Sequence, residues 1–168
     1  MNKFTVAILV NNQFGVLNRV TSMFRRRAFN ITSLTVSETE SEEFSRITVQ
    51  SEGDEIKKEQ LINQLYKLPD IVSVQELSNE ETVSRELLLI KIKNDPAPRG
   101  EVSSASEAYE GKVVDNTKES IMIQMIGDSR KIDNFVHLMK EFGILEICRT
   151  GIVSLQRGAT TIRRVTNL

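Results

Sequence analysis

The hydrophobic period of this chain changes abruptly at Gly15. Before it, Phe4, Val6, Ile8 and Val10 alternate with Thr5, Ala7 and Leu9, the two-residue repeat of a strand. After it, Val16, Leu17, Val20, Met23, Phe24 and Ala28 recur at helical spacing, while Asn18, Arg19, Ser22, Arg25 and Arg26 face away. The strand carries apolar side chains on both faces, so it belongs at the centre of a sheet with cover on each side. A central strand turning through a glycine into an amphipathic helix restricts the chain to folds that layer helices on a sheet.

The rest of the first half completes that layer. Asn30–Glu38 reads as a strand through Ile31, Leu34 and Val36; Thr39-Glu40-Ser41-Glu42-Glu43 is a polar hairpin loop; and Phe44–Glu52 returns as a strand through Ile47 and Val49. Asp54 caps a second helix carrying Ile56, Leu61, Ile62, Leu65 and Leu68, which Pro69-Asp70 ends, and Ile71–Leu77 is a fourth strand. The order β-α-β-β-α-β with right-handed crossovers predicts a ferredoxin-like sandwich of antiparallel strands beneath two helices. Polar residues 79–84 read as a linker. The second half repeats the theme: strand Glu86–Lys93, short helix Glu101–Tyr109, strands Lys112–Asn116 and Ser120–Ile126, helix Ser129–Glu141, and strands Ile144–Arg149 and Ile152–Gln156. The expected fold class is therefore α+β, two ferredoxin-like α/β sandwiches at 1–78 and 85–168, with a frayed basic tail after Gly158.

Chemistry concentrates at the turn. Gly15 tolerates a positive φ and a close approach, the Asn residues before it can accept from the first helix N–H groups, and the helix start favours a small carboxylate. The same residues also fit a simple strand-to-helix turn, and the residues alone leave both readings open. Elsewhere the sequence excludes more than it offers. In 168 residues, 22 basic and 23 acidic side chains give a net charge of -1, no electrostatic basis for nucleic-acid binding. One cysteine, Cys148, excludes an internal disulfide, and one histidine, His137, argues against a histidine metal site or a Ser-His triad. Cys148 reads as a small core residue in an apolar strand and His137 as solvent-exposed. There is no phosphate loop, no pair of carboxylates in a catalytic setting, and no aromatic pattern for RNA on the third strand. With no signal segment and no membrane span in the sequence, the expected compartment is the cytoplasm.

Several segments carry a more specific signal. Asn12-Gln13-Phe14-Gly15-Val16-Leu17 is followed by Arg26-Arg27-Ala28-Phe29-Asn30-Ile31-Thr32-Ser33-Leu34-Thr35-Val36. Then come Ser45-Arg46-Ile47-Thr48, Gly53-Asp54-Glu55, Gln64-Leu65-Tyr66-Lys67-Leu68, Arg85-Glu86-Leu87, Arg149-Thr150-Gly151 and Arg157-Gly158. In order and spacing, over almost the whole chain, these resemble the regulatory (small) subunits of acetolactate synthase. The resemblance implies an N-terminal ACT domain, the amino-acid-sensing form of the sandwich, in a non-catalytic chain without a cofactor of its own. It implies a large catalytic subunit that carries thiamine diphosphate, Mg2+ and FAD and condenses 2-keto acids at the start of branched-chain amino-acid synthesis. The small subunit of such a pair activates the large one and confers feedback inhibition, usually by valine.

The resemblance further places the effector between two ACT domains of a homodimer. The matching positions here are Asn12, Gly15, Val16 and Leu17 on the turn, with Asn30 and Ile31 at the start of the second strand. Asn11 stands where an acidic residue is common in the family, and Phe14 where proline is frequent, which removes proline's restriction on φ. Apolar area on Ala7 and Leu9 adds a physical motive for a dimer that covers it.

Overall fold

The computed structural model describes residues 2–78, 80–97 and 99–163. It contains, in order, β1 (Asn2–Asn11), α1 (Val16–Arg26), β2 (Ile31–Glu38), β3 (Phe44–Gly53), α2 (Glu55–Leu65) and β4 (Ile71–Leu77). Then follow β5 (Thr82–Lys93), α3 (Arg99–Ala108), β6 (Lys112–Asn116), β7 (Ser120–Gly127), α4 (Ser129–Met139), β8 (Ile144–Arg149) and β9 (Val153–Gln156). The α+β class and both βαββαβ units are as the periodicity predicts. The chain forms two compact units, one built from Met1–Val83 together with the chain from Ile152 on, the other from Ser84–Gly151.

In the first unit the sheet order is β2-β3-β1-β4, all antiparallel, with β1 central. Val6, Ile8 and Val10 of β1, Ile47 and Val49 of β3, and Val74 of β4 turn one face toward the helices. There they meet Val16, Val20, Met23 and Phe24 of α1 and Leu61 and Leu65 of α2. Asp54 caps α2 by accepting from the Lys57 N–H at 2.9 Å. Lys58 of the same helix is buried but reaches both Glu55, at 2.6 Å, and Glu76, at 2.5 Å. Its hydrogen bonds to Glu55 and then to Glu76 hold its ammonium above the ordinary lysine range.

The opposite face of this sheet is covered differently from the sequence reading. Ala7, Leu9 and Leu77 pack with Ile162, which is only 8% exposed. The segment that carries Ile162 crosses the whole face. The Ile152 N–H donates to Ser33 Oγ at 3.0 Å, Arg46 Nη2 to the Ser154 carbonyl at 2.8 Å, and the Arg157 N–H to the Glu81 carbonyl at 2.7 Å. Gln156 meets Gln75 of β4, and Arg163 bonds Glu40 at 3.0 Å while lying 5.4 Å over the Phe44 ring. Burial lowers the pKa of the Arg46 guanidinium. The apolar area on Ala7 and Leu9 is thus satisfied within the chain and needs no second copy. The residues assigned from sequence to the end of the second domain return to the first, and the tail expected to fray after Gly158 is docked at Ile162 and Arg163. The rest of that tail, 164–168, lies outside the described residues.

The second unit repeats the plan, with sheet order β6-β7-β5-β8. Leu88, Ile90 and Ile92 pair across to Met125, Ile123 and Ile121 and face Ile132, Phe135 and Met139 of α4, with Val102 of α3. Asp128 caps α4 through the Lys131 N–H at 2.8 Å. Glu86, 4% exposed, receives Arg149 through Nε and Nη2 at 2.8 Å each, and Arg149 Nη1 reaches Asp133 at 2.7 Å. Donation to the Glu86 carboxylate drives the arginine's pKa above its usual range.

Two local expectations change. Cys148 is exposed. It sits on edge strand β8, and its partner in register is Leu89, on the face away from α4, whereas the neighbouring pair Ile90–Ile147 faces the helices. β5 starts at Thr82, inside the expected linker, because the Thr82 hydroxyl donates to the Ser78 carbonyl at 2.7 Å and closes the connection; residue 79 of that linker lies outside the described residues. His137 is exposed, as expected. No helix among the described residues is long and apolar enough to cross a membrane.

Candidate functional site

The turn after β1 is held by backbone bonds on both sides. The Asn11 N–H donates to the Asp70 carbonyl at 3.0 Å and the Asn12 N–H to the Glu43 carbonyl at 2.7 Å; the Gln13 N–H returns to Asn11 at 2.9 Å. Gly15 then takes the left-handed conformation, φ 83°, as the residue preceding α1. L-residues with a Cβ reach that region only with strain, so here the glycine is required by the backbone. An added Cβ would meet only Arg19 Nη1 within 4 Å, at 3.6 Å, so the space above Gly15 is otherwise open.

No side chain caps α1. This departs from the expectation that the preceding asparagines accept from the helix N–H groups. The Asn12 amide is taken up by the β2–β3 connection instead: Nδ2 donates to Glu38 Oε1 at 3.1 Å and the Glu42 carbonyl at 3.0 Å, and Oδ1 accepts from Ser45 Oγ at 3.0 Å. Among the described residues, the N–H groups of Leu17 and Asn18 have no backbone acceptor, since the first bonds of the helix are Val16 to Gln13 and Arg19 to Gly15. The first turn contains no acidic residue. Phe14 stands wholly in solvent and Leu17 is 41% exposed, so two apolar side chains flank the open donors.

Two residues that the sequence reading passed over complete the turn. Arg19 donates from Nε to Asp70 Oδ2 at 2.6 Å. Asp70 is 8% exposed, and its carbonyl also receives the Asn11 N–H, so one residue fastens both the end of β1 and the first turn of α1. A signal was present in the sequence, for an arginine four positions after the glycine sits at the end of the helix that disfavours a cation.

The six candidate residues do not converge in one chain. Asn12, Gly15 and Leu17 share the turn, while Val16, 3% exposed, points its side chain into the first core. Asn30 and Ile31 are elsewhere. Ile31 pairs with Ser51, which pairs with Phe4 at the start of β1, whereas the turn follows Asn11 at its end. Seven residue steps separate those ends, about 23 Å at strand spacing. The Asn30 carbonyl accepts from Ser51 Oγ at 2.6 Å and its side chain is exposed; Ile31 is partly buried against the first core. Both lie at the beginning of β2, the edge strand of its sheet.

Two ferredoxin-like sandwiches, the first opening its first helix on a glycine turn with unpaired donors, have the architecture of ACT-type domains. Comparison with known proteins makes the assignment specific. Residues 6–73 match the AHAS small subunit-like ACT domain, and residues 85–158 match the family described as the small subunit of acetolactate synthase. A probable acetolactate synthase small subunit from Archaeoglobus fulgidus is 44% identical over 156 residues, 93% of this chain and 98% of that one. The acetolactate synthase small subunit of Bacillus subtilis is 42% identical over 93% of this chain and 91% of its own length. The crystal structure of the acetolactate synthase small subunit from Thermotoga maritima superposes with a TM-score of 0.87 at 35% identity, covering 95% of this chain and all of that one. This chain belongs to the family of acetolactate synthase small subunits.

Proposed function

We propose that this chain regulates a separate catalytic subunit of acetolactate synthase, raising its activity and making it sensitive to valine or a related branched-chain amino acid. Thiamine diphosphate, Mg2+ and FAD belong to that partner in this reading, and this chain contributes no catalytic residue. The observation that carries the reading is the open turn at Gly15, where unpaired helix-start N–H groups suit a carboxylate and the exposed flank of Leu17 suits a branched aliphatic chain.

The division of the candidate residues between two ends of the sheet supports a homodimer through β2. If two β2 edges pair antiparallel about a two-fold axis, the far end of one strand lies beside the near end of the other. That arrangement brings the Gly15 turn of one copy toward Asn30 and Ile31 of its partner, a juxtaposition that one chain cannot make. β2 contains no proline or lysine that would guard the edge, and Val36 on its helix-side face is 40% exposed.

The test is reconstitution. The chain alone is expected to show no condensation of pyruvate, to raise the rate when added to its catalytic subunit, and to make that rate fall with added valine. Condensation by the isolated chain, or a reconstituted rate indifferent to every branched-chain amino acid, overturns the reading. Sedimentation is expected to show a dimer at micromolar concentration, and a monomer with and without valine overturns the composite site.

A further inference from the structure

Resting on the effector site just proposed, the geometry points to Arg19 as the residue that receives the effector's carboxylate, with Asp70 as the positioning residue that aims it. Arginine at the fourth helical position leans back toward the start of its own helix, because side chains on a helix point N-terminally. Here it ends beside Gly15, with Nη1 3.6 Å from where a Cβ on that glycine would lie. A guanidinium has five N–H donors in a planar fork. Asp70 takes only the Nε edge, at 2.6 Å, and among the described residues no partner takes the Nη donors.

The cation stands at the unfavourable end of its helix, and Asp70 compensates it at the Nε edge alone. The positive end of the helix dipole repels it, and no acidic residue of the first turn compensates. The Asp70 side chain is 12% exposed, against 46% for that of Arg19, so the pair has a fixed inner end and a solvated outer end. A buried carboxylate that grips one edge of an arginine and leaves the other facing an open turn fixes the fork for a planar, two-oxygen ligand. The Leu17 and Asn18 N–H groups lie on the same helix turn. The ligand class is therefore an α-amino acid held by its carboxylate, with its aliphatic chain toward Leu17.

Calorimetry on the full chain with valine and with valinamide, which lacks the carboxylate charge, tests this directly. The unmodified protein is expected to prefer valine by about 10- to 100-fold, the range of a charge-assisted pair. Arg19→Gln is expected to lose that preference by weakening valine while leaving valinamide nearly unchanged. Arg19→Lys, which keeps a cation for Asp70 but not the fork, is expected to retain part of it, and Asp70→Asn to narrow it with Arg19 still present. A valine-to-valinamide ratio in Arg19→Gln equal to that of the unmodified protein overturns the assignment. So does an equal loss for both ligands, which would make Arg19 merely structural. If Arg19→Gln does not fold, as read by circular dichroism, the Lys variant decides by the same ratio. Gly15→Asp serves as the control for the site itself: if it binds valine like the unmodified protein, the effector site lies elsewhere, and this inference falls with it.

Discussion

Substituting Gly15 separates backbone strain from effector binding, because alanine and aspartate affect the two in opposite order. At φ 83° an alanine incurs the left-handed penalty, about 1–2 kcal/mol. Its Cβ adds no collision, the nearest atom being Arg19 Nη1 at 3.6 Å. Aspartate incurs less strain, since Asp enters the left-handed region more readily than Ala. Its carboxylate would also sit at the positive helix end, worth about 0.3–1 kcal/mol. It would lie beside a half-solvated guanidinium, worth about 0.2–1 kcal/mol. Gly15→Asp is therefore expected to be destabilised by at most about 1 kcal/mol, less than Gly15→Ala.

Inhibition should follow the reverse order. Alanine only narrows the turn. Aspartate brings a carboxylate to the position proposed for the effector's own, and repels what it does not displace. Coupling between an effector and an active site is typically about 1–3 kcal/mol, so losing binding removes the whole inhibitory effect. Urea denaturation of the chain and valine titration of the reconstituted enzyme give the two rankings: stability Gly > Asp > Ala, inhibition Gly > Ala > Asp. If inhibition follows stability across the series, strain rather than occupancy explains it and the argument for the site is refuted. If Gly15→Asp also abolishes activation, its circular dichroism should reveal an unfolded domain.

Ala28→Gly should stabilise the chain by about 0.5–1 kcal/mol in urea, since Ala28 holds φ 55° where α1 ends and the Phe29 N–H closes onto Phe24 at 3.0 Å, a position suited to glycine. Lys58, with its pKa raised by Glu55 and Glu76, contributes stability that is complete below the unfolded-state pKa of about 10.4 and lost as pH rises through the higher folded value. Lys58→Met should accordingly flatten the alkaline limb of a stability–pH curve, and an unchanged limb would show that the pairs contribute nothing. Ile162→Ala should cost about 2 kcal/mol, the low end for a buried isoleucine because it lies at the surface end of its cluster, and should speed proteolysis after Gly158.

What the sequence disclosed and what it concealed divide along a physical line. Period, capping and turn chemistry are local, and they located both sandwiches, the cap at Asp54 and the exposed His137. A strand's alternation says which residues share a face but not what covers that face, so Ala7 and Leu9 read as a surface awaiting a second copy, whereas Ile162 of the same chain covers them. Alternation also does not say which strand lies at an edge, and Cys148 is exposed because β8 is an edge strand and its side chain lies on the face away from α4. Asn12 looks like a cap in sequence because its competing partners, Glu38, Glu42 and Ser45, are brought to it only by the pairing of β2 with β3 and of β3 with β1.

The split of the candidate site follows from the same limit and bears on how the protein works. Asn12 to Leu17 and Asn30 to Ile31 are separated by one helix in sequence, which invites the picture of a single pocket. In the sandwich, α1 carries the chain back along the sheet, so that the two groups end about 23 Å apart. Residues at opposite ends of an antiparallel edge strand become neighbours when that strand meets its own copy. A site assembled in this way is coupled to dimerisation by mass action: an effector that bridges two copies stabilises the dimer by the same free energy with which the dimer strengthens effector binding. The tightening of the dimer by valine, measured by sedimentation at rising concentration, should therefore equal the gain in valine affinity between dilute and concentrated protein. A valine affinity that stays constant while the monomer–dimer equilibrium is crossed would show that each copy binds alone, with Asn30 and Ile31 taking no part.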